Sequence, residues 1–516
     1  MKRTLLLAFA SLCIAFVSCS QYRYETVPND PLGTKIHTLD NGLKIYMSVN
    51  KEAPRIQTYI AVKVGGKNDP SETTGLAHYF EHLMFKGSEK FGTADYAAEK
   101  PLLDEIESLF ETYRVTEDEA ERARLYHQID SISYLASDIF IPNEYDKLKA
   151  VYGRDDLIPL WVADMDFETP DFVIDALKER LSHPVLGYAA DHPDYWPAVI
   201  DWQRRRNGWE IDPDHLAFIP GIVKGIGMAV NVFTEPGDKI IIQPPVYHPF
   251  RIVSESNGRE VVYNPLILTD KGYEMDLEHL ESIIDDRCKM LILSNPHNPG
   301  GTAWSEETLR KLADICAAHG IVVISDEIHS DMYLFGNRHI PFATVSEKAA
   351  GISITFAAPS KTFNIAGIVA SYCVVPDDSL RSRFFGWMKA NEMDAKGIFP
   401  PIATAAAYRN GEEWLGQMLE YVQENILYVE DFCRQRIPGV RALRPDASFL
   451  VWLDCRGLGL SHERLVSLFV DDARLALNDG EMFGPGGEGF MRLNVGTSRS
   501  VLVEAMEHLA VAVAAL

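Results

Sequence analysis

The chain has 516 residues, 47% apolar and 24% charged, with a formal net charge of −25. That length allows two or three domains and a large core, and the composition is that of an ordinary globular protein. So large an acidic surplus excludes a nucleic-acid binder, which presents basic faces. Seven cysteines are scattered. Cys288, Cys316, Cys373, Cys433 and Cys455 have neither metal-ligand nor disulfide-framework spacing, and are expected to be buried small apolar residues of a reduced protein.

Residues 1–19 read as a signal peptide: Met1-Lys2-Arg3, then an apolar run over 5–17 too short to span a membrane. The run ends at Val17-Ser18-Cys19, which resembles a bacterial lipoprotein cleavage box with Cys19 as the lipid-bearing residue. Residues 39–49 and 56–64 alternate as strands do. His78, Glu81 and His82 follow, in the order HxxEH. Two histidines four apart share a helical face and suit one zinc ion, with the glutamate as general base for its water. This stretch resembles the insulinase-like (M16) zinc peptidases over about 32–149. The family's third ligand, a glutamate much further on, has no counterpart here. Glu99 opens instead a charged, amphipathic helical stretch reaching 146, in which Glu105 and Glu107 are the alternative third ligands but sit on an otherwise solvated face. With two ligands the zinc site is incomplete, and the segment is expected to be an inactive, truncated α+β piece.

Beyond it, short apolar runs at 240–242, 290–293, 321–324 and 354–356 each stop at polar residues and are separated by helical stretches. Such runs read as parallel strands covered on both faces. Ligands of open parallel sheets bind outside the carboxyl ends of the strands. Tyr247, Asn298, Asp326 and Lys361 are therefore expected along one edge. A lysine just off the end of a buried strand is poorly solvated and easily deprotonated, as a Schiff-base lysine requires. A ring, an amide, a carboxylate and a lysine are the parts that hold pyridoxal phosphate. Taken singly, each has a plainer reading as a core tyrosine, a turn amide, a turn-capping aspartate or a loop lysine. The run at 216–219 ends at Pro220-Gly221-Ile222-Val223 and opens a helix, whose free N–H groups suit a phosphate. Ser360 is a second phosphate candidate.

The strings SNPHNPGG, SDEIHSD, APSKTFNIAG and GFMRLNVG resemble the fold-type I pyridoxal-phosphate enzymes, aminotransferase class I/II. WVADMDFETP and GYAADHPDYW are similar to the MalY/PatB group of cystathionine β-lyases, also called cysteine-S-conjugate β-lyases. The resemblance runs from about residue 145 to the C-terminus. It implies an α/β fold over 150–516, with a large, mostly parallel sheet domain at about 185–400. A smaller α+β domain is implied for about 150–184 with 401–516. It gives Asp326 the pyridine nitrogen, Asn298 and His329 the ring oxygen, Tyr247 a stacking place and Arg492 the substrate α-carboxylate. Tyr188 matches a tyrosine that reaches the neighbouring subunit's phosphate, which implies a homodimer. Ala358 departs from the family's frequent serine, which leaves one phosphate contact in doubt.

The activity so implied is elimination of a thiol from a sulfur-bearing amino acid, giving pyruvate and ammonia. The core motifs are shared with aminotransferases, so transamination is the alternative. A zinc peptidase through the HxxEH segment and a binding-only regulator are further ones. Location stays open: the leader points out of the cytoplasm, the reduced cysteines and the cofactor point in. Between the two resemblances there is no Gly/Ser/Pro linker of the kind that joins independent domains.

Overall fold

The computed structural model describes residues 144–516 apart from 189 and 271, the strand residues 25–26, 35–38 and 44–47, and isolated positions between 101 and 125. The chain divides into two compact units, residues 1–140 and 141–516. In the first, Glu25–Thr26, Lys35–Thr38 and Lys44–Met47 form an antiparallel sheet in that order. The last lies inside the alternating run read from 39–49. Cys19 with its leader, the run at 56–64, Glu107 and the trio His78, Glu81 and His82 lie outside the described residues. Glu105 is helical and exposed, on the solvated face expected of it.

The second unit opens with the helix Glu144–Tyr152, which the two resemblances had divided between them. Leu148 is fully buried against Leu157, Val470 and Ala476. The Tyr152 hydroxyl donates to the Leu477 carbonyl at 3.0 Å, and its ring meets Trp161 edge-on at 5.4 Å.

The large sheet has seven strands, in the order Leu216–Ile219, Ser371–Val374, Ser353–Ala357, Val322–Asp326, Cys288–Ser294, Lys239–Ile242 and Glu260–Tyr263. Only Ser371–Val374 runs against the others. Side chains alternate across a strand, and two cores result. Met290, Ile292, Ile324 and Ile354 pack with Ile226 and Val230 of the helix Ile222–Phe233 on one face. Leu291, Leu293 and Val323 pack with Leu309 and Leu312 of the helix Glu306–Ala318 on the other. Both faces are covered, which is why these strands read as unbroken apolar runs. Each such side chain contributes about 1.5–3 kcal/mol by leaving water.

A second, antiparallel sheet is formed by Arg441–Leu443, Leu450–Asp454, Phe490–Asn494 and Asn478–Asp479, in that order. The parallel pair Ile158–Pro159 with Leu475–Ala476 leads from the first helix into residues 161–167, which run beside Phe490–Asn494. The five cysteines from Cys288 onward are free and buried, and burial pushes the Cys316 and Cys433 thiols up to about 12. Among the described residues, no helix is long and apolar enough to cross a membrane.

Candidate active site

Parallel register aligns the strand ends. Ser294 pairs with Asp326 and Asp326 with Phe356, while Ile242 pairs with Ile292. The ladder continues past the strands: Asn295 N–H donates to the Asp326 carbonyl at 2.9 Å, and Glu327 N–H to that of Phe356 at 2.8 Å. The carboxyl edge therefore carries Tyr247, Asn298, Asp326 and Lys361 side by side, as the alternation of runs and helices predicts. The Tyr247 N–H donates to the Asn298 carbonyl at 3.1 Å. At the near end of the sheet, Leu216–Ile219 delivers Gly221 to the same edge. Gly221 has φ 107° and opens the helix Ile222–Phe233 with no side-chain cap, so the N–H groups of Ile222 and Val223 face outward from a positive pole. A Cβ on Gly221 would touch Val369 Cγ1 at 3.6 Å, just beyond the lysine loop.

The electrostatics follow from burial. Burial pushes the Asp326 carboxyl up to about 7, only partly offset by the Ile328 N–H donating at 3.2 Å and by Lys361, while Glu327 adds to the rise. Burial also pulls the Lys361 amine below the ordinary lysine range. Asp164 and Asp326 pull it back, and Arg492 lowers it further. The amine donates to the Ala163 carbonyl. Arg492, fully buried, is brought down to about 10. It donates to Asn298 Oδ1 and to the Trp161 carbonyl, each at 3.0 Å, and to Asn478 Oδ1, but its Nε has no partner. His329 is buried, pulled down to about 3 and hence neutral, with Nδ1 unpartnered and its ring edge-on to Phe449. It stands in a turn after Asp326, not in a helix, because the Asp326 side chain caps the backbone two residues on. Tyr247 is raised by burial and by the Asp326 carboxylate, with Arg492 opposing, and so stays a phenol at neutral pH.

Ser360 is buried in the lysine loop. Tyr188 is fully exposed, on a segment where Leu181, Val185 and Leu186 are exposed too.

The structure adds supporting residues that were not singled out in the sequence. Asp331, buried, accepts from Trp202 Nε1 at 2.8 Å and from Thr362 Oγ1 at 2.9 Å, and so fixes the residue after Lys361. Glu327 accepts from His339 Nε2 at 2.7 Å, Ser325 Oγ at 2.8 Å and Phe342 N–H at 2.9 Å, and so pins the residue after Asp326. Asn364 and Asn494 bind residues 162–167. The signal for Asn494 was its place two residues after Arg492 on one strand, which puts both side chains on one face. Asp331 gave none, since its partners lie more than thirty positions away in either direction.

Residues 155–509 match the family model described as aminotransferase class I and II. The chain belongs to that family. Among family members, cystathionine beta-lyase PatB of Bacillus subtilis is 43% identical over 367 residues, 71% of this chain and 95% of that protein. The PLP-bound putative aminotransferase from Clostridium difficile 630 superposes with a TM-score of 0.71 at 39% identity, covering 73% of this chain and 97% of that one. The PLP-bound C-S lyase from Staphylococcus hominis gives a TM-score of 0.67 at 33% identity, covering 72% and 95%. Residues 45–102 match a second family model, insulinase (peptidase family M16). That match is short and supports less than the fused peptidase segment of 32–149 that the sequence suggested.

Proposed function

We propose that this family member is a pyridoxal-phosphate-dependent C–S β-lyase. It takes an α-amino acid with sulfur at Cβ and releases a thiol, pyruvate and ammonia. The pairing of a half-buried lysine of lowered pKa with a buried carboxylate on one sheet edge supports the cofactor chemistry, and the observation that favours elimination over amino transfer is the 43% identity to cystathionine beta-lyase PatB. The residues fit the cofactor. Asp326, raised to about 7 by burial, suits a protonated ring nitrogen. Asn298 and the unpartnered His329 suit the ring oxygen, and Tyr247 the ring face. The uncapped helix start at Gly221, Ile222 and Val223, with Ser360, suits the phosphate.

The bound cofactor supplies an electron sink for the pair left at the substrate's Cα. Arg492 binds the α-carboxylate with its planar fork. The amine of Lys361 takes the Cα proton, the pair left there forms the Cα–Cβ double bond, and the Cβ–S bond breaks with sulfur keeping its electrons. The proton held by Lys361 passes to the departing sulfur, giving the thiol. The released enamine takes a proton from water at Cβ, and water adds at Cα and expels the nitrogen as ammonia, leaving pyruvate. The test is pyruvate release from cystathionine or a cysteine S-conjugate. Amino transfer to a keto acid without pyruvate would favour the transaminase, and full function of Lys361→Ala a binding-only protein.

The two lobes are read as a large domain at about 185–400 and a small one at about 150–184 with 401–516. The enzyme is read as a homodimer in which Tyr188 reaches the neighbouring phosphate, a reading supported by its full exposure beside other exposed apolar side chains. Mixing inactive Lys361→Ala and Tyr188→Phe subunits should restore activity if sites are shared. For the first unit, Cys19 is read as a lipid anchor. His78 and His82 with Glu81 are read as a two-ligand remnant, one ligand short of a catalytic zinc site.

A further inference from the structure

Residues 161–167 cross the site as a strap gripped mainly by side chains. Backbone bonds hold it near its ends: the Leu160 carbonyl accepts from Asn494 N–H at 3.0 Å, and Asp166 N–H donates to the Gly496 carbonyl at 2.9 Å. Between them the Asn494 amide donates to the carbonyls of Val162 at 2.7 Å and Asp164 at 2.6 Å. From the lysine loop, the Asn364 amide donates to the carbonyls of Met165 and Phe167, both at 2.7 Å, and its oxygen accepts from Met165 N–H at 3.0 Å. The remaining carbonyls alternate with those that Asn494 holds. Trp161 accepts from Arg492 and Ala163 from the Lys361 amine. Two residues of chain set the distance between these carbonyls at no more than about 7 Å. The strap thus spaces the group that moves the Cα proton from the group that binds the α-carboxylate.

We propose that Asn364 and Asn494 are positioning residues that clamp this strap and thereby fix Lys361 and Arg492 relative to each other. The plain alternative is that two amides merely satisfy a surface loop. Against it, each amide bridges two carbonyls of one short segment, and together they approach it from the lysine loop and from the Arg492 strand. Asn364 also has φ 53°, in the region that asparagine tolerates better than most residues. Alanine there would confuse strain with lost contacts. Asn→Asp keeps shape and backbone preference while turning the donors against the carbonyls.

The inference rests on the lyase reading, and its test separates the two. In the holoenzyme, Asn364→Asp and Asn494→Asp should each lower kcat/KM for thiol elimination about 100-fold, the cost of misplacing reacting groups by about 1 Å. The loss should divide between a raised KM and slower exchange of the Cα proton in deuterated water. Affinity for pyridoxal phosphate, read by absorbance titration, should fall much less than kcat/KM, because Asp326 and the helix start at Gly221, assigned to the ring and the phosphate, are not among the strap's hydrogen-bond partners given above. In cofactor-free protein, amide exchange across 161–167 should accelerate while that of 322–326 and 353–357 holds. Unchanged exchange in the strap, unchanged kcat/KM, or a loss of cofactor affinity parallel to the loss of activity would each overturn the proposal. Wild-type protein that binds no pyridoxal phosphate would instead sink the lyase reading, leaving the exchange arm to judge the clamp.

Discussion

The sheet edge and the strap hold site residues by different physics. Asp326 and the lysine loop hang from interior strands that are paired on both sides and whose faces are buried in two cores. The strap has no such ladder; between Leu160 and Asp166 side chains do the holding. An edge built this way resists local change because moving one strand end breaks the register of its neighbours. A strap held by a few amides moves when one amide changes. In this family member the edge carries the groups assigned to the cofactor, and the strap links one of them, Lys361, to Arg492, which is assigned to the substrate.

The contrast can be broken at its strongest point first. Lys361→Ala removes the amine and should lower pyruvate release by about 10⁴-fold, the upper range for a lost acid–base group, with little change in melting temperature. Asp326→Asn should cost roughly 10²–10³-fold in kcat, the scale of one lost preorganised electrostatic group, with the cofactor still retained by its phosphate. The strap variants follow at about 100-fold, with KM involved.

The edge is also sharpened by pH. In cofactor-free protein the folded Asp326 sits near 7 against an ordinary 3.8. A raised folded value means that its stabilising contribution is complete below pH 3.8 and lost as pH rises through about 7. Urea midpoints should therefore place wild type below Asp326→Asn at pH 8, with the gap narrowing as pH falls below about 7 and closing only near pH 4. A gap that widens toward acid would contradict the buried carboxylate. The smallest effect is expected from Tyr152→Phe, which frees the Leu477 carbonyl and should cost about 1 kcal/mol in denaturant unfolding. A slight rise in KM through Trp161 should accompany it.

Much of this site was legible from residue order. Lys361, Asp326, Asn298 and Tyr247 each follow an apolar run, and parallel strands bring their carboxyl ends to one edge whatever the loops between them do. The turn that carries His329 was not legible, because a side-chain cap such as that of Asp326 looks in sequence like a helix start. The boundary between the units was less legible. The amphipathic pattern through 146 carries on into Glu144–Tyr152, and nothing local says that Leu148 is buried against Val470 and Ala476.

By itself, then, the order of residues determined the sheet, its functional edge and the candidate lysine and carboxylate, since alternation of short apolar runs with helices is a local property. Only the tertiary structure decided what holds those groups in place. The bonds from Asn364 and Asn494 to residues 162–167, and from Asp331 to Trp202 and Thr362, join positions far apart in the chain. A hydrogen bond between distant residues leaves no periodicity behind, so it becomes visible only once the chain has folded.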